Sequence, residues 1–196
     1  MTSFNYYKII DFSKYKIKEN KRSLLILSMI NIYDRFKIKE IQSIPIAVNF
    51  FDRYIIECEN LGDLNLIVCA CISIAIKSYD DIGYSNLFQI LAKYFNISDH
   101  KKINNAELEV LKILDWEIHP VLTIFDIMKE WILKNPKIRE IEDLDYYILA
   151  SLLLFKHYDN KILAQAILSC NSDIVMTADC DSKCQKDLKL IYSNFE

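Results

Sequence analysis

The fold of this chain is decided by the stretch Ala47-Val48-Asn49-Phe50-Phe51-Asp52-Arg53-Tyr54. Its centre is apolar, yet it carries an acid, and an acid inside an apolar helix costs free energy unless a cation pairs with it. Arg22 lies one predicted helix earlier. A buried pair of Arg22 and Asp52 would be bidentate and would fix two helices in one register. Periodicity alone supports this interpretation and its alternative, two unrelated surface charges, equally well.

A second candidate pair consists of Lys77, at the end of the third predicted helix, and Glu107, near the start of the fifth. A lysine at a helix C-terminus and a glutamate near an N-terminus both suit the helix dipole. Before any family comparison, the dipole is the favoured explanation of both residues. Two ion pairs on a helical scaffold are nevertheless more typical of a surface that grips another protein than of a catalytic centre.

The apolar pattern predicts an all-α fold. Two Gly and three Pro in 196 residues favour long, closely connected helices. The third helix, Leu64–Tyr79, is apolar nearly all round, as is typical of a helix at the centre of a bundle. The other helices of this half are predicted at Lys21–Phe36, Ser43–Cys58, Tyr84–Phe95 and Lys102–Leu114, the last with Leu108, Leu111 and Leu114 inward.

A second helical set is predicted after an extended connection, Trp116–Pro120. Thr123 is a good N-cap with Asp126 three residues later. The members of this set are predicted at Ile124–Leu133, Leu144–His157, Lys161–Cys170 and Asp181–Asn194. The pattern therefore predicts a five-helix bundle followed by a second, shortened and more divergent helical bundle.

Three parts follow from this division, with boundaries at residues 19 and 120. Residues 1–19 form an N-terminal helix or extension, 20–120 the first bundle and 121–196 the shortened second bundle. The N-terminal part mixes lysines with tyrosines, which can bind RNA or a membrane, but Asp11 and Glu19 interrupt it. A solvated N-terminal helix is the favoured interpretation.

Composition excludes several classes of protein. A hydrophobic fraction of 52% is ample for a core, and a net charge of −3 argues against a dedicated nucleic-acid binder. The longest apolar run, Leu66–Ile76, is too short to cross a bilayer. Six cysteines without an apolar leader predict a reduced intracellular protein, in the nucleus or the cytoplasm, that is not secreted.

No catalytic, metal or cofactor site is predicted. The candidate zinc ligands His157, Cys170, Cys180 and Cys184 do not match a compact zinc pattern. With two glycines in the chain no Gly-rich phosphate loop can form, and no Gly-x-Ser-x-Gly elbow is present. We therefore expect that the protein is not an enzyme and that it binds no cofactor and no small-molecule ligand.

Four segments of the first half resemble the cyclin box. The stretch Ala47–Tyr54 resembles the Ala-Val-Asn-Tyr-Ile-Asp-Arg-Phe of the family's second helix. Likewise, Lys21-Arg22-Ser23-Leu24-Leu25 resembles the Met-Arg-Ala-Ile-Leu of its first helix. Ile74-Ala75-Ile76-Lys77 resembles the Ile-Ala-Ser-Lys that ends the third. The run from Glu107 to Trp116 resembles the fifth, where an acid is followed by Val-Leu-x-x-Leu and an aromatic. The resemblance covers about residues 20–120, and the second half carries no diagnostic motif.

This resemblance implies a non-catalytic subunit that binds a cyclin-dependent protein kinase as a heterodimer. Cyclins push the regulatory αC helix of the kinase inward, which completes its Lys–Glu pair and magnesium site. The kinase-facing residues that it implies are Lys77 and Glu107, the apolar anchors Leu111 and Trp116, and Tyr79 at the edge.

The same resemblance assigns two further sets of residues. Arg22 and Asp52 would be the internal pair that orders the first box. The substrate-docking groove of many cell-cycle cyclins corresponds to Lys21, Leu24, Leu25 and Ser28. The family has Met and Trp where this chain has Lys21 and Ser28, so the groove is degenerate.

Subfamily and rival functions remain open from the sequence. The run from Lys77 to Asp81, followed by Asn86, looks somewhat like cyclin Y and the yeast phosphate-pathway cyclins, and a minimal viral or protist cyclin is another interpretation. A transcription factor of the TFIIB kind uses the same box, but it should carry a zinc ribbon and a basic surface. The last alternative is a helical interaction module without a kinase partner.

Overall fold

The computed structural model describes residues 12–36, 38, 41–79, 86–118, 123–140, 144–154, 158–170 and 182–193. The regular elements within these ranges are all helical, which confirms the predicted all-α class. The chain divides into two compact units, residues 1–121 and residues 122–196. No helix in the described ranges is long and apolar enough to cross a membrane.

Unit 1 is a helical bundle preceded by a short 3-10 turn at Phe12–Lys14. Its helices are α1 (Glu19–Phe36), α2 (Ser43–Glu57), α3 (Leu64–Tyr79), α4 (Leu87–Tyr94) and α5 (Lys101–Ile113).

Helix α3 occupies the centre of unit 1. It packs against α1, α2, α4 and α5, and residues 67–76 are all buried. A helix that is apolar on every side can bury its whole circumference only if neighbours surround it. The predicted position of this helix in the bundle is confirmed.

Helix α2 is buried almost as completely, over every residue from Ser43 to Ile55. It nevertheless carries two charged side chains, Asp52 and Arg53, in its second half. Because a charge removed from water must find a partner or lose several kcal/mol, the environment of these two residues determines how α2 is held.

Two predictions for unit 1 are wrong within the described residues. The N-terminal helix does not extend over residues 12–18, where a 3-10 turn is followed by irregular chain. Leu108 points outward and is 43% exposed. The buried stripe of α5 consists of Ile103, Ala106, Glu107 and Val110, and on a 3.6-residue period position 108 falls outside that stripe.

The predicted extended connection at Trp116–Pro120 also needs correction. Residues 114–116 form a turn directly after α5, in which Asp115 and Trp116 both have left-handed backbones, with φ of 52° and 58°. His119 and Pro120 lie outside the described residues.

Unit 2 contains α6 (Ile124–Lys134), a 3-10 turn (Pro136–Glu140), α7 (Leu144–Leu154), α8 (Asn160–Cys170) and α9 (Ser182–Tyr192). Its core is built from apolar side chains of all four helices, among them Met128, Ile148, Ile167 and Leu188. The predicted extension of α7 to His157 lies outside the described residues.

A capping box fixes the start of α6, as the sequence predicts. The Asp126 amide donates to Thr123 Oγ1 at 3.3 Å, and the Thr123 amide donates to Asp126 Oδ2 at 2.8 Å. These reciprocal bonds satisfy two amides that the first helical turn leaves without an intrahelical acceptor.

Replacing Thr123 by alanine is expected to destabilise the protein by about 1 kcal/mol, because the N-cap oxygen is lost. Thr123→Ser keeps that oxygen and serves as the control. Urea unfolding followed by circular dichroism measures both variants, and equal stability of the Ala and Ser variants would contradict the capping role.

Candidate protein-interaction surface

A bidentate ion pair between α1 and α2 lies in the interior of unit 1. Arg22 Nε donates to Asp52 Oδ1 at 2.9 Å, and Arg22 Nη2 donates to Asp52 Oδ2 at 2.7 Å. The two side chains are 1% and 0% exposed. The fork of the guanidinium matches the two carboxylate oxygens only in one orientation, so the pair fixes the register of α1 against α2. The structure thus brings together two residues that periodicity left undecided.

Tyr15 is a third member of this cluster that the sequence reasoning missed. Its hydroxyl donates to Asp52 Oδ1 at 2.5 Å, and Lys16 Nζ donates to the carbonyl of Cys58 at the end of α2. Tyr15 and Lys16 therefore bond the segment before α1 to α2, while Lys14, Lys16 and Lys18 are exposed to solvent. The only sequence signal was a tyrosine in a basic tract, and that signal does not predict a contact 37 residues away.

Burial and the ion pair shift the pKa values of this cluster. Burial raises the pKa of the Tyr15 hydroxyl well above its usual value, and the Asp52 carboxylate raises it further. Burial alone would lower the pKa of Arg22, but the charge of Asp52 and its hydrogen bonds outweigh that effect and raise it. The cluster therefore holds a neutral tyrosine beside a charged pair.

The second predicted pair joins α3 to α5 at the surface. Lys77 Nζ donates to Glu107 Oε1 at 2.8 Å and to Glu107 Oε2 at 2.9 Å. Glu107 is buried, whereas the Lys77 side chain is 49% exposed. The Lys77 ammonium also lies 4.4 Å from the centre of the Phe88 ring on α4, a cation–π contact that the sequence analysis did not predict.

Apolar side chains accompany this pair along α5. Leu111 lies four residues after Glu107, so the two share one helix face, and Leu111 is half-buried. Trp116 is 57% exposed on the turn after the helix, and Ile118 is also exposed. Of the predicted surface residues, Tyr79 ends α3, and its side chain lies outside the described part of the structure.

Two further residues of α2, next in sequence to Asp52, bond to α5 and the turn that follows it. Arg53 Nη1 donates to the Glu117 carbonyl at 2.8 Å, and Arg53 Nη2 lies 3.3 Å from Glu117 Oε2. The Tyr54 hydroxyl donates to the Glu109 carboxylate. Three consecutive residues, Asp52 to Tyr54, thus connect α2 to α1, to Glu117 beyond the turn that follows α5, and to α5 itself.

The residues of the degenerate docking groove lie on α1 in two environments. Lys21 and Leu24 are exposed, and the Ser28 hydroxyl donates to the Leu24 carbonyl within the helix at 2.9 Å. Leu25 is buried in the core. Leu25 therefore supports α1 from inside, and the assignment of these four residues to a docking groove stays a prediction.

The described residues include no group of three or more His, Cys, Asp or Glu side chains that could hold a metal ion. Of the candidate zinc ligands, Cys170 ends α8 and Cys184 is buried in the core of unit 2. His157 and Cys180 lie outside the described residues.

Comparison with known proteins agrees with this architecture. The family model described as Cyclin, N-terminal domain, matches residues 2–119, which is more than half of the chain. The crystal structure of a viral cyclin from herpesvirus saimiri is similar, with a TM-score of 0.73 and 16% sequence identity, over 93% of this chain and 90% of that one. At that identity the likeness concerns the fold alone. No match was found among curated proteins.

Removing one member of the buried pair is expected to destabilise the protein by about 3–5 kcal/mol, because the other charge is left in the interior without compensation. Arg22→Met and Asp52→Leu are the single changes, and the double variant should lose much less than their sum. Urea unfolding measures the cycle. Strictly additive losses would contradict the pairing.

Stability at high pH is expected to depend on Tyr15. Above pH 10 the unfolded chain ionises this tyrosine, whereas the raised pKa keeps it neutral in the folded protein, so stability falls as pH rises. Each pH unit in that window removes about 1.4 kcal/mol per tyrosine. Tyr15→Phe should show a shallower decline between pH 10 and 11 in urea unfolding, and an identical slope would rule out this assignment.

Proposed function

The chain belongs to the cyclin family, and from that premise we propose that it is a regulatory subunit of a cyclin-dependent protein kinase. It binds the kinase as a heterodimer and activates it without performing chemistry itself. The observation that carries the proposal is the half-exposed ion pair of Lys77 and Glu107 between α3 and α5.

The chemistry of that pair suits the recognition of a protein backbone. An ammonium has three N–H donors, and Lys77 directs two hydrogen bonds at Glu107, which leaves it donor capacity for a carbonyl of the kinase. The Glu107 carboxylate can accept further bonds from backbone amides. Phe88 and Glu107 hold the ammonium from two directions, so less side-chain entropy is lost on binding.

Exposed apolar side chains support the same face. Leu108 and Trp116 are 43% and 57% exposed, and Leu111 lies between them along the chain. Tryptophan is among the residues most enriched in interface hot spots. In this proposal Leu111 and Trp116 pack on the kinase, and Tyr79 lies at the edge of the contact.

Activation follows from what this face does to the kinase. An active kinase needs its Lys–Glu pair and its magnesium-binding Asp in place, and the position of helix αC controls both. The Lys77–Glu107 pair and the apolar anchors hold that helix in its inward position. The catalytic groups all belong to the kinase, and this chain changes the populations of its two states.

The energies are of the right size for such a switch. Moving a kinase from 1:99 to 99:1 in favour of the active state needs about 5.5 kcal/mol of differential binding. Truncating one member of a charged pair that is desolvated at an interface costs about 2–5 kcal/mol, much of it the penalty of leaving the other charge unpaired. Buried apolar anchors contribute about 1.5–3 kcal/mol each, so the interface as a whole is of the size that such a switch needs.

Lys77→Ala and Glu107→Ala are each expected to weaken kinase binding by about 2–5 kcal/mol, since each leaves its partner desolvated and unpaired in the complex. Binding to a panel of purified monomeric cyclin-dependent kinases, measured by calorimetry, tests this, with circular dichroism to verify folding.

Lys134→Ala is the matched control, because Lys134 pairs with Glu130 at 2.5 Å on the exposed face of α6 and both side chains are mostly in water. That variant should bind as the unsubstituted chain does. Unchanged affinity of the Lys77 and Glu107 variants for a kinase that the chain binds would refute the assignment of the face.

A further inference from the structure

The turn after α5 adopts a backbone conformation that its residues do not favour. Asp115 occupies the left-handed position after the helix, and the Trp116 amide donates to the Leu111 carbonyl at 2.8 Å. This is a Schellman arrangement, in which glycine is the usual residue at the left-handed position. Trp116 continues the turn with a φ of 58°, which is an outlier for a bulky side chain. Such strain persists only where surrounding contacts impose it.

Within the turn, the Glu117 amide donates to the Leu114 carbonyl and the Ile118 amide donates to the Trp116 carbonyl, both at 2.9 Å. A further contact, from outside the turn, comes from Arg53. The Arg53 side chain is buried in α2. Its guanidinium donates to the carbonyl of Glu117, which lies 64 residues later in the sequence and directly after Trp116. A second nitrogen of the same group lies 3.3 Å from the Glu117 carboxylate. The bond to the carbonyl fixes the backbone on the far side of the strained residue, while the Leu111 carbonyl fixes the near side.

We infer that Arg53 is a positioning residue that holds the left-handed turn after α5 and so presents Trp116 to the kinase. The inference rests on the proposed function only for the identity of the partner. Arg53 touches no partner itself and acts through the backbone of Glu117.

An arginine suits this task better than any apolar residue of its size. Its planar group carries five N–H donors in a fixed geometry, so one buried side chain can bind a carbonyl and a carboxylate of the same residue. The neighbours of Arg53 in sequence, Asp52 and Tyr54, are themselves bonded to α1 and α5. The arginine is therefore anchored on a rigid helix and can impose a fixed position on the turn.

Amide hydrogen exchange tests the positioning without any kinase. Arg53→Met preserves the length and burial of the side chain and removes both contacts. We expect the amides of residues 116–118 to exchange at least about tenfold faster, which corresponds to about 1.4 kcal/mol, while exchange in α3 stays unchanged. Arg53→Lys, which can still bond the carbonyl, should restore part of the protection. Arg139→Met, on the exposed turn of unit 2, is the matched control and should change neither region.

A binding cycle tests whether the effect passes through the tryptophan. Against the tightest-binding kinase of the monomeric panel, Arg53→Met should weaken binding about tenfold, again about 1.4 kcal/mol. In a Trp116→Ala background the same change should cost almost nothing, because two residues that act as one unit are not additive.

Each result has a separate meaning. Equally faster amide exchange in α3 and in the turn would overturn the positioning role, because it would mean that Arg53 only stabilises the core as a whole. Unchanged exchange at residues 116–118 would also overturn it, because the turn would then not depend on Arg53. A full tenfold loss in the Trp116→Ala background would also overturn it. If the chain bound no kinase, the proposed function would fail, and the exchange experiment would still decide the role of Arg53.

Discussion

The buried ion pair of Arg22 and Asp52 is the constraint on which unit 1 depends. Helix α2 has no face toward water from Ser43 to Ile55, so the charge of Asp52 has to be compensated by a partner inside the bundle. The guanidinium of α1 satisfies both carboxylate oxygens, and Tyr15 adds a further donor. A buried pair of this kind adds little net stability compared with apolar residues, but it penalises every other register of the two helices. It therefore specifies the bundle more than it strengthens it.

The two ion pairs of unit 1 differ in environment and so in what they can do. Arg22 and Asp52 are both removed from water, and their hydrogen bonds are directed at one another and at Tyr15. Lys77 is 49% exposed, while its partner Glu107 is buried. Water around the half-exposed Lys77 screens this pair in the free protein, and a partner that excludes that water would strengthen the same interaction. Burial thus separates the pair that orders the scaffold from the pair that is available to a partner.

The sequence predicted those parts of the structure that depend on local sequence patterns. The apolar circumference of α3 and the Thr123 cap of α6 both follow from local pattern, and both are confirmed. The family resemblance named Arg22 with Asp52 and Lys77 with Glu107, and the structure places each couple at hydrogen-bond distance. The role of Lys77 and Glu107 toward a kinase stays a prediction, as does the role of the second unit.

What the sequence did not predict depends on contacts between distant segments. Tyr15 bonds to a residue 37 positions away, and Arg53 bonds to a backbone carbonyl, a group that every residue possesses and that no motif marks. We attribute the left-handed backbone of Trp116 in part to that bond, since tryptophan does not favour this conformation. The outward position of Leu108 was missed because the leucine positions alone do not show which face of α5 is buried. The buried face is marked by Ile103, Ala106 and Val110.

The most direct test of kinase activation by this chain is a phosphorylation assay with a panel of monomeric cyclin-dependent kinases and histone as substrate. Addition of the folded chain should raise the activity of at least one kinase by orders of magnitude, and the Lys77→Ala variant should fail to do so at the same concentration. A chain that leaves every kinase of the panel inactive, or a Lys77→Ala variant that activates fully, would contradict the account and favour a helical interaction module without a kinase partner.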